Sequence, residues 1–441
     1  MRNQIKAKFI PSSFAFIFPS IFASIIIAMI ALAPEAQADN IRKVDIYAPG
    51  KPVPIAISPL AGLPGQEISS IVTKDLNATG LFTFLDPAGF SESPTEPFNQ
   101  ANWLPTQVVA VLKGAATISP EGDISATATL YDVQSGAVLF SKNYGAPIGM
   151  LRPLAHDISS DIFKALTGLP GAFKCKLSYL SETRGGKKNI VIADWDAQRP
   201  HTLKFNERLL MPPRWSRDGN SLFYSAERGG AWGIYRLNLA ALKEGLVFYR
   251  PGTSLIGDIG PSGQILFSSS YQSSPNIYII EPDGDGRYGP PKRLTHTNGI
   301  NVSPALSPDG KQIAYASDRD GTPQIYVMNV DGSNIRRVTF QGSYNTSPVW
   351  SPDGKRIAFA GRVGGINQIF TVRPDGSDLA QLTAYGNNED PCFSPDGSMI
   401  AFSSDRGGVK SIYTMSSKGM GQRRVKTIGG ASAYGPRWSY N

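Results

Sequence analysis

Histidine and cysteine are nearly missing from this sequence, with three and two residues in 441. His156, His201 and His296 stand at no metal-ligand spacing from one another, which excludes a metal site built on a short histidine motif. Each reads as an ordinary surface or loop residue. Two cysteines cannot make a disulfide framework. Cys175 and Cys392 fall in different stretches of the chain and read as two buried thiols; a bridge stays open only if the fold brings their Cα atoms within about 7 Å. No Gly-x-Ser-x-Gly occurs, so the nucleophile elbow of the serine hydrolases is absent. Asp283-Gly284-Asp285-Gly286 opens like a calcium loop but lacks the closing bidentate glutamate, and reads as a turn. No catalytic residue, cofactor or metal is expected. Charge of one sign is not concentrated either. Lys and Arg number 43 against 35 Asp and Glu, and basic pairs such as Lys187-Lys188, Arg336-Arg337 and Arg423-Arg424 are isolated, which excludes a nucleic-acid footprint.

Long apolar runs are confined to one place. Arg2, Lys6 and Lys8 precede an apolar stretch from Phe14 to Leu32, and Ala36-Gln37-Ala38 follows as a small-residue cleavage site. Residues 1–38 therefore read as a cleaved export signal, with the mature chain beginning at Asp39. Their removal takes away three basic residues and one acid, lowering the formal net charge from +8 to +6. No other segment has the length needed to cross a bilayer.

What is abundant is turn chemistry, with 45 Gly and 34 Pro, as expected for many short strands. From about residue 172 the chain repeats. Ser307-Pro308-Asp309-Gly310, Ser351-Pro352-Asp353-Gly354 and Ser394-Pro395-Asp396-Gly397 are near-identical turns, Ser216-Arg217-Asp218-Gly219 is a fourth, and Gly260-Pro261-Ser262-Gly263 a degenerate fifth. Starts at 216, 260, 307, 351 and 394 give spacings of 44, 47, 44 and 43 residues, the period of a four-stranded propeller blade. In one unit, Ile313–Ser317 follows the turn as a strand, Asp318-Arg319-Asp320-Gly321 turns the chain, Ile325–Asn329 is the next strand, and Arg337-Val338-Thr339 begins the outer one. The first unit, from Cys175, lacks a leading strand, and the chain ends in a leading strand, Tyr434-Gly435-Pro436-Arg437-Trp438-Ser439, with no unit after it. The C-terminal strand should therefore close a ring of six blades, which also removes two exposed sheet edges.

Residues 39–168 do not repeat. Ile68, Ile71, Val72 and Leu76 sit at helical spacing before Gly80, and Leu151, Leu154, Ala155, Ile158, Ile162 and Leu166 form a second amphipathic helix ending at Gly168. Between them Val108–Ala116, Ile124–Val133 and Ala137–Tyr144 read as strands. The fold class is mainly β: a six-bladed propeller at 172–441, closed by the C-terminal strand and preceded by a small α+β domain at 39–168.

Trp215, Trp350 and Trp438 share one repeat position with Leu306 and Phe393, which points to packing between blades rather than to a sugar platform. The loops leading into the innermost strands are polar and rich in asparagine: Asn298-Gly299-Ile300-Asn301, Tyr344-Asn345-Thr346 and Asn387-Asn388-Glu389-Asp390. Propellers gather such loops at one mouth of the channel. The asparagines either serve turns or make a binding face, and the residues alone leave both open.

The export signal, the small α+β domain and six propeller repeats, marked by Ser-Pro-Asp-Gly-type turns and ending in Pro436-Arg437-Trp438-Ser439, resemble the TolB family, the periplasmic propellers of the Tol-Pal envelope system. The resemblance covers essentially the whole mature chain. It implies a monomeric, non-catalytic binding protein that supports outer-membrane integrity and cell-division constriction and meets the membrane only through its partners. It implies that the lipoprotein Pal binds the loop-lined rim, here Asn298, Asn301, Tyr344, Asn345, Thr346, Asn387 and Asn388. It implies that the inner-membrane protein TolA binds the mature N-terminus, here Asn40, Ile41, Arg42, Lys43, Val44, Asp45 and Ile46. Ile41, Val44 and Ile46 would suit a strand added to a partner's sheet edge, or an ordinary first strand of the domain itself. The degenerate repeat at Ile259–Gly263 departs from the pattern, so no contact is carried over near it. A propeller enzyme or ligand-binding protein acting on carbohydrate or peptide is the alternative; it would need acids or histidines converging on the channel.

Overall fold

The computed structural model describes residues 51–90, 92–428 and 432–440. The export signal and the segment Asn40–Ile46 lie outside the described residues. Among those described, no helix is long and apolar enough to cross a membrane.

The N-terminal domain is a five-stranded sheet under two helices. Its strands are β1 (Val53–Ile57), β2 (Phe82–Phe84), β3 (Ala110–Ile118), β4 (Asp123–Asp132) and β5 (Val138–Pro147), in the order β2-β1-β3-β4-β5. β1 runs parallel to β2 and to β3, and the β3-β4-β5 meander is antiparallel. The first two strands are too short to stand out in the sequence. Helices α1 (Leu63–Ala78) and α2 (Leu151–Thr167) lay their apolar faces on the sheet, burying Ile68, Val72 and Leu76 from one and Leu154, Ile158 and Ile162 from the other. α2 stops at Gly168, whose φ of 80° lets its N–H reach the Lys164 carbonyl at 2.8 Å. A buried ion pair, Lys113 to Glu92 at 2.5 Å, fastens the segment before β3 to the sheet.

Six four-stranded sheets follow in a ring. Blade 1 takes its innermost strand, Ser432–Trp438, from the end of the chain, pairing it antiparallel with Lys176–Glu182. Its outer strands are Lys188–Asp194 and His201–Glu207. The innermost strands of blades 2 to 6 are Arg214–Trp215, Ser254–Ile259, Asn301–Leu306, Asn345–Trp350 and Asn388–Phe393. The expected closure by the C-terminal strand is thus the observed one.

Each Ser-Pro-Asp-Gly turn is a small polar lock. Ser307 Oγ donates to Asp309 Oδ1 at 2.6 Å and accepts the Gln312 N–H at 2.9 Å; Ser351 and Ser394 repeat the pattern, and Gly310, with φ of 72°, holds the left-handed corner that a side chain would disfavour. The tryptophans at the shared repeat position are buried, and two of them pin neighbouring inner strands together. Trp350 Nε1 donates to the Ala305 carbonyl and Trp215 Nε1 to the Arg437 carbonyl, both at 3.2 Å.

The N-terminal domain sits on the turn face of blades 1 and 6. A run of aromatic rings, Phe82, Phe163, Phe173, Trp195 and Trp438, continues from the helical layer to the closing strand with centroids 5.8–6.5 Å apart. Arg152 of α2 pairs with Asp196 at 2.5 Å, and the Ala172 N–H donates to Asp396 of the blade 6 turn at 3.2 Å. One apolar core therefore spans both parts.

Candidate functional site

Antiparallel strand order sends the loops that lead into each innermost strand, and the hairpins between second and third strands, to the same end of the ring. The N-terminal domain covers part of the opposite end. The loop face is thus where the sequence-expected rim residues should lie, and the structure sorts them.

Asn301, Asn345 and Asn388, the first residues of their strands, are at most 3% exposed. Their amides turn inward. Asn345 Nδ2 donates to Gln324 Oε1 at 2.8 Å and to the Gln341 carbonyl at 2.9 Å. Gln324 Oε1 also accepts from Thr339 Oγ1 at 2.7 Å, and that hydroxyl accepts the Ile325 N–H. Asn388 repeats this with Gln368 and Thr383 at 2.8 Å each, and Asn301 with Asn276 and Thr295. On the other side Asn301 Oδ1 accepts from Ser317 and Arg319, and Asn388 Oδ1 from Arg406. Each asparagine is therefore a staple joining the third and outer strands of one blade to the innermost strand of the next. The expectation that these three amides offer themselves to a partner is corrected: all three are buried, Asn301 and Asn388 with donors and acceptor engaged and Asn345 with both donors engaged, which leaves little to give.

The other rim residues are more accessible. Asn298 is exposed, and Tyr344, Thr346 and Asn387 are half-buried. Tyr344 carries the Arg362 guanidinium over its ring at 4.4 Å. Asn387 is tied to its surroundings, accepting the Asn367 N–H at 2.9 Å and donating to Glu389 at 2.9 Å. Glu389 also pairs with Lys410. Burial alone would raise its carboxyl, but Lys410 and the two amides outweigh this and hold it below the usual glutamate value.

Apolar side chains on the same face escaped the sequence reading. Ile300, Val363, Ile366, Tyr385 and Val409 sit in its loops and hairpins, 40–79% exposed. They come from blades 3 to 6 and give the rim an apolar character among its polar groups. The available signal was a large apolar residue beside glycine in a turn, as in Gly299-Ile300, Val363-Gly364-Gly365-Ile366 and Tyr385-Gly386.

His156 is not a surface residue. It is 3% exposed on α2, with Nδ1 2.7 Å from Asp75 Oδ2, which also accepts from Ser159 Oγ at 2.6 Å. Burial pushes the Asp75 carboxyl up, with His156 pulling the other way. His156, Asp194 and Asp196 converge closely enough to share a cation. Both acids are already neutralised, Asp194 by Lys176 at 2.6 Å and Arg199 at 2.7 Å, Asp196 by Arg152, so the cluster reads as an interdomain ion network. His201 and His296 are exposed. Cys175 and Cys392 are not joined by a disulfide; Cys175 is buried, whereas Cys392, expected to be buried, is half-buried on the channel wall.

Comparison with known proteins adds to this geometry. Residues 163–441 match the family model described as the TolB beta propeller domain, and residues 43–139 that of the TolB amino-terminal domain. The Tol-Pal system protein TolB of Bordetella pertussis is 27% identical over 316 residues, 71% of each chain. A protein TolB homolog of Chlorobium luteolum is 31% identical over 289 residues, 64% of each chain. The crystal structure of TolB from Acinetobacter baumannii superposes with a TM-score of 0.77 at 26% identity, covering 89% of this chain and 98% of that one.

Proposed function

The chain belongs to the TolB family, and from that premise we propose that it is a non-catalytic binding component of a Tol-Pal system in the periplasm. It links the lipoprotein Pal, held on the loop face of the propeller, to TolA, held by the segment Asn40–Ile46, and so supports outer-membrane integrity and constriction at division. The observation that carries this reading is the apolar loop face, with Ile300, Val363, Ile366, Tyr385 and Val409 exposed at the end of the ring away from the N-terminal domain. Exposed apolar side chains rimmed by polar groups favour a protein partner, whose contacts concentrate in a few large side chains. Asn298, Tyr344 and Thr346 lie beside them as polar contacts.

The test is a paired capture assay on one preparation. A variant carrying Ile300→Ser, Ile366→Ser and Tyr385→Ser is expected to fold, to lose Pal capture by about a hundredfold or more, and to keep TolA. Val44→Pro removes a backbone donor and fixes φ; it is expected to keep Pal and lose TolA. Unchanged Pal capture by the folded triple variant would move the contact off this face.

A further inference from the structure

At one strand position the channel of the ring carries charge on one side only. The same position of the innermost strands holds Arg437, Arg214 and Asp258 in blades 1 to 3, but Ala305, Val349 and Cys392 in blades 4 to 6. All six line one cavity of about 320 Å³. Pro308, Pro352 and Pro395 of the Ser-Pro-Asp-Gly turns line one end of it, where the two arginines stand, and Met211, Val302 and Ser347, near the starts of the innermost strands, line the other. Its volume is at the lower end of the range of ligand pockets, roughly 300–1,000 Å³.

The two arginines are held by carbonyls alone. Arg214 donates from Nε to the Gly257 carbonyl at 2.5 Å and from Nη1 to the Pro212 and Pro213 carbonyls at 3.2 Å. Arg437 donates from Nη1 to the Pro436 carbonyl at 2.6 Å and the Asp390 carbonyl at 3.4 Å. Among the described residues neither has a carboxylate within 4.0 Å, and Nη2 of both and Nε of Arg437 have no acceptor. A third guanidinium on the cavity, Arg217, lies over the Tyr440 ring at 4.1 Å, and its buried Nε has no acceptor.

The nearby acids, Asp258 and Asp390, answer this charge only in part. Asp258 spends its two oxygens on the backbone N–H groups of Ile259 at 2.8 Å and Leu306 at 2.9 Å. Asp390 has one long contact, from Ser403 at 3.4 Å. The cavity therefore sets three guanidiniums against two carboxylates. Burial, and then repulsion from Arg437, pushes the Arg214 guanidinium down to about 9. Facing like charges at a partly buried site are costly, and a bound anion would relieve them. A guanidinium presents parallel N–H groups in a fixed fork that matches a planar carboxylate. We propose that Arg214 and Arg437 form a carboxylate-binding subsite in the channel, filled by a small dicarboxylate or by an acidic side chain entering from the turn face. The subsite is separate from the loop face.

Isothermal titration of the full chain with glutarate, with an N-acetylated and C-amidated Gly-Glu-Gly peptide, and with sulfate tests this. Saturable binding of a carboxylate is expected, with sulfate weaker and with Arg214→Gln and Arg437→Gln each weakening it about tenfold or more, the effect of losing one charge-assisted contact. Arg437→Lys keeps the charge but not the fork, and is expected to weaken it as well. Tighter binding of the peptide assigns the subsite to a partner's side chain, tighter binding of glutarate to a free dicarboxylate. No binding of either, equal binding of sulfate, or affinity unchanged in all three variants overturns the proposal. Should the glutamine variants fail to fold, arginine Nε–H resonances of the unaltered protein serve instead: none moving with glutarate also overturns it.

Discussion

Blades 3 to 6 are joined to one another by neutral amides, blades 1 and 2 by charge. At the first set of junctions Asn301, Asn345 and Asn388 reach back to Asn276, Gln324 and Gln368, with Thr295, Thr339 and Thr383 completing each staple. Between blades 1 and 2, Arg228 spans from Glu207 on the outer strand of blade 1, at 2.9 Å, to Glu244 on its own outer strand, at 2.5 Å. Tyr224 adds its hydroxyl to Glu244. The contrast follows the repeat: where the sequence keeps its period, a buried amide recurs at each strand start, and where it drifts, a partly exposed ion network takes over. A buried amide contact is indifferent to pH and salt but costly to break. A partly exposed ion pair is modest in worth and sensitive to both.

Three perturbations sharpen this comparison. The largest effect is expected from the tryptophans that both kinds of blade share. Trp350→Ala and Trp438→Ala should each cost about 3–5 kcal/mol, read as denaturant midpoints. Trp438→Ala should cost more, because its ring stacks on Trp195, which continues to Phe173 of the interdomain core. Equal losses would separate ring closure from domain docking.

Asn345→Ala comes next. It takes one of two donors from the buried Gln324 Oε1, which keeps Thr339, and a donor from the Gln341 carbonyl, an expected loss of about 1–3 kcal/mol. The counterpart in blade 3, Ser254, has a single partner, the Ser269 hydroxyl at 2.9 Å, so Ser254→Ala should cost about 0.5–1.5 kcal/mol. Thermal melts of the two variants side by side check the order.

The smallest effect is a pH dependence at the junctions that carry a depressed carboxylate. Burial opposes ionisation of Glu244, but Arg228 and Tyr224 outweigh it and hold its carboxyl below the ordinary 4.5. A depressed carboxyl stabilises above its unfolded value and loses that contribution as pH falls through the folded one. Hydrogen exchange should therefore show protection at residues 203–207 and 222–228 falling below about pH 4.5, with the amide-stapled junctions between blades 3, 4 and 5 unchanged; the blade 5–6 junction, where Glu389 is also held low, should loosen with it. Glu244→Gln should remove that pH dependence. Parallel loosening at every junction would erase the distinction.

Much of this architecture was legible in the sequence. Five turn signals at a blade-length period, with an orphan strand at the end of the chain and a missing one at the start of the array, are sufficient to define a closed ring. The amphipathic spacing of Ile158, Ile162 and Leu166 defined its helix because a half-buried helix must show its period. β1 and β2 were not legible: runs of five and three residues are too short to establish a period. The partner of His156 was hidden for another reason, since Asp75 lies 81 residues away. The asparagines were seen but their task was not. An amide suits a turn, an interface or a buried staple equally well, and only burial decides. The exposed Tyr385 and Ile366 went unnoticed because one apolar residue in a polar loop is ordinary until the fold gathers several on one face.

The division of labour on the loop face, staples beneath and contacts above, is tested most directly by titrating purified Pal onto Tyr385→Ala and Asn345→Ala at a temperature where both are folded. Tyr385→Ala is expected to weaken Pal about tenfold or more with its melting temperature unchanged. Asn345→Ala is expected to melt lower while its affinity stays within about twofold of the unaltered protein's, a difference under about 0.5 kcal/mol. A Tyr385→Ala variant that binds Pal as before, beside an Asn345→Ala variant that melts normally and loses it, would contradict the account.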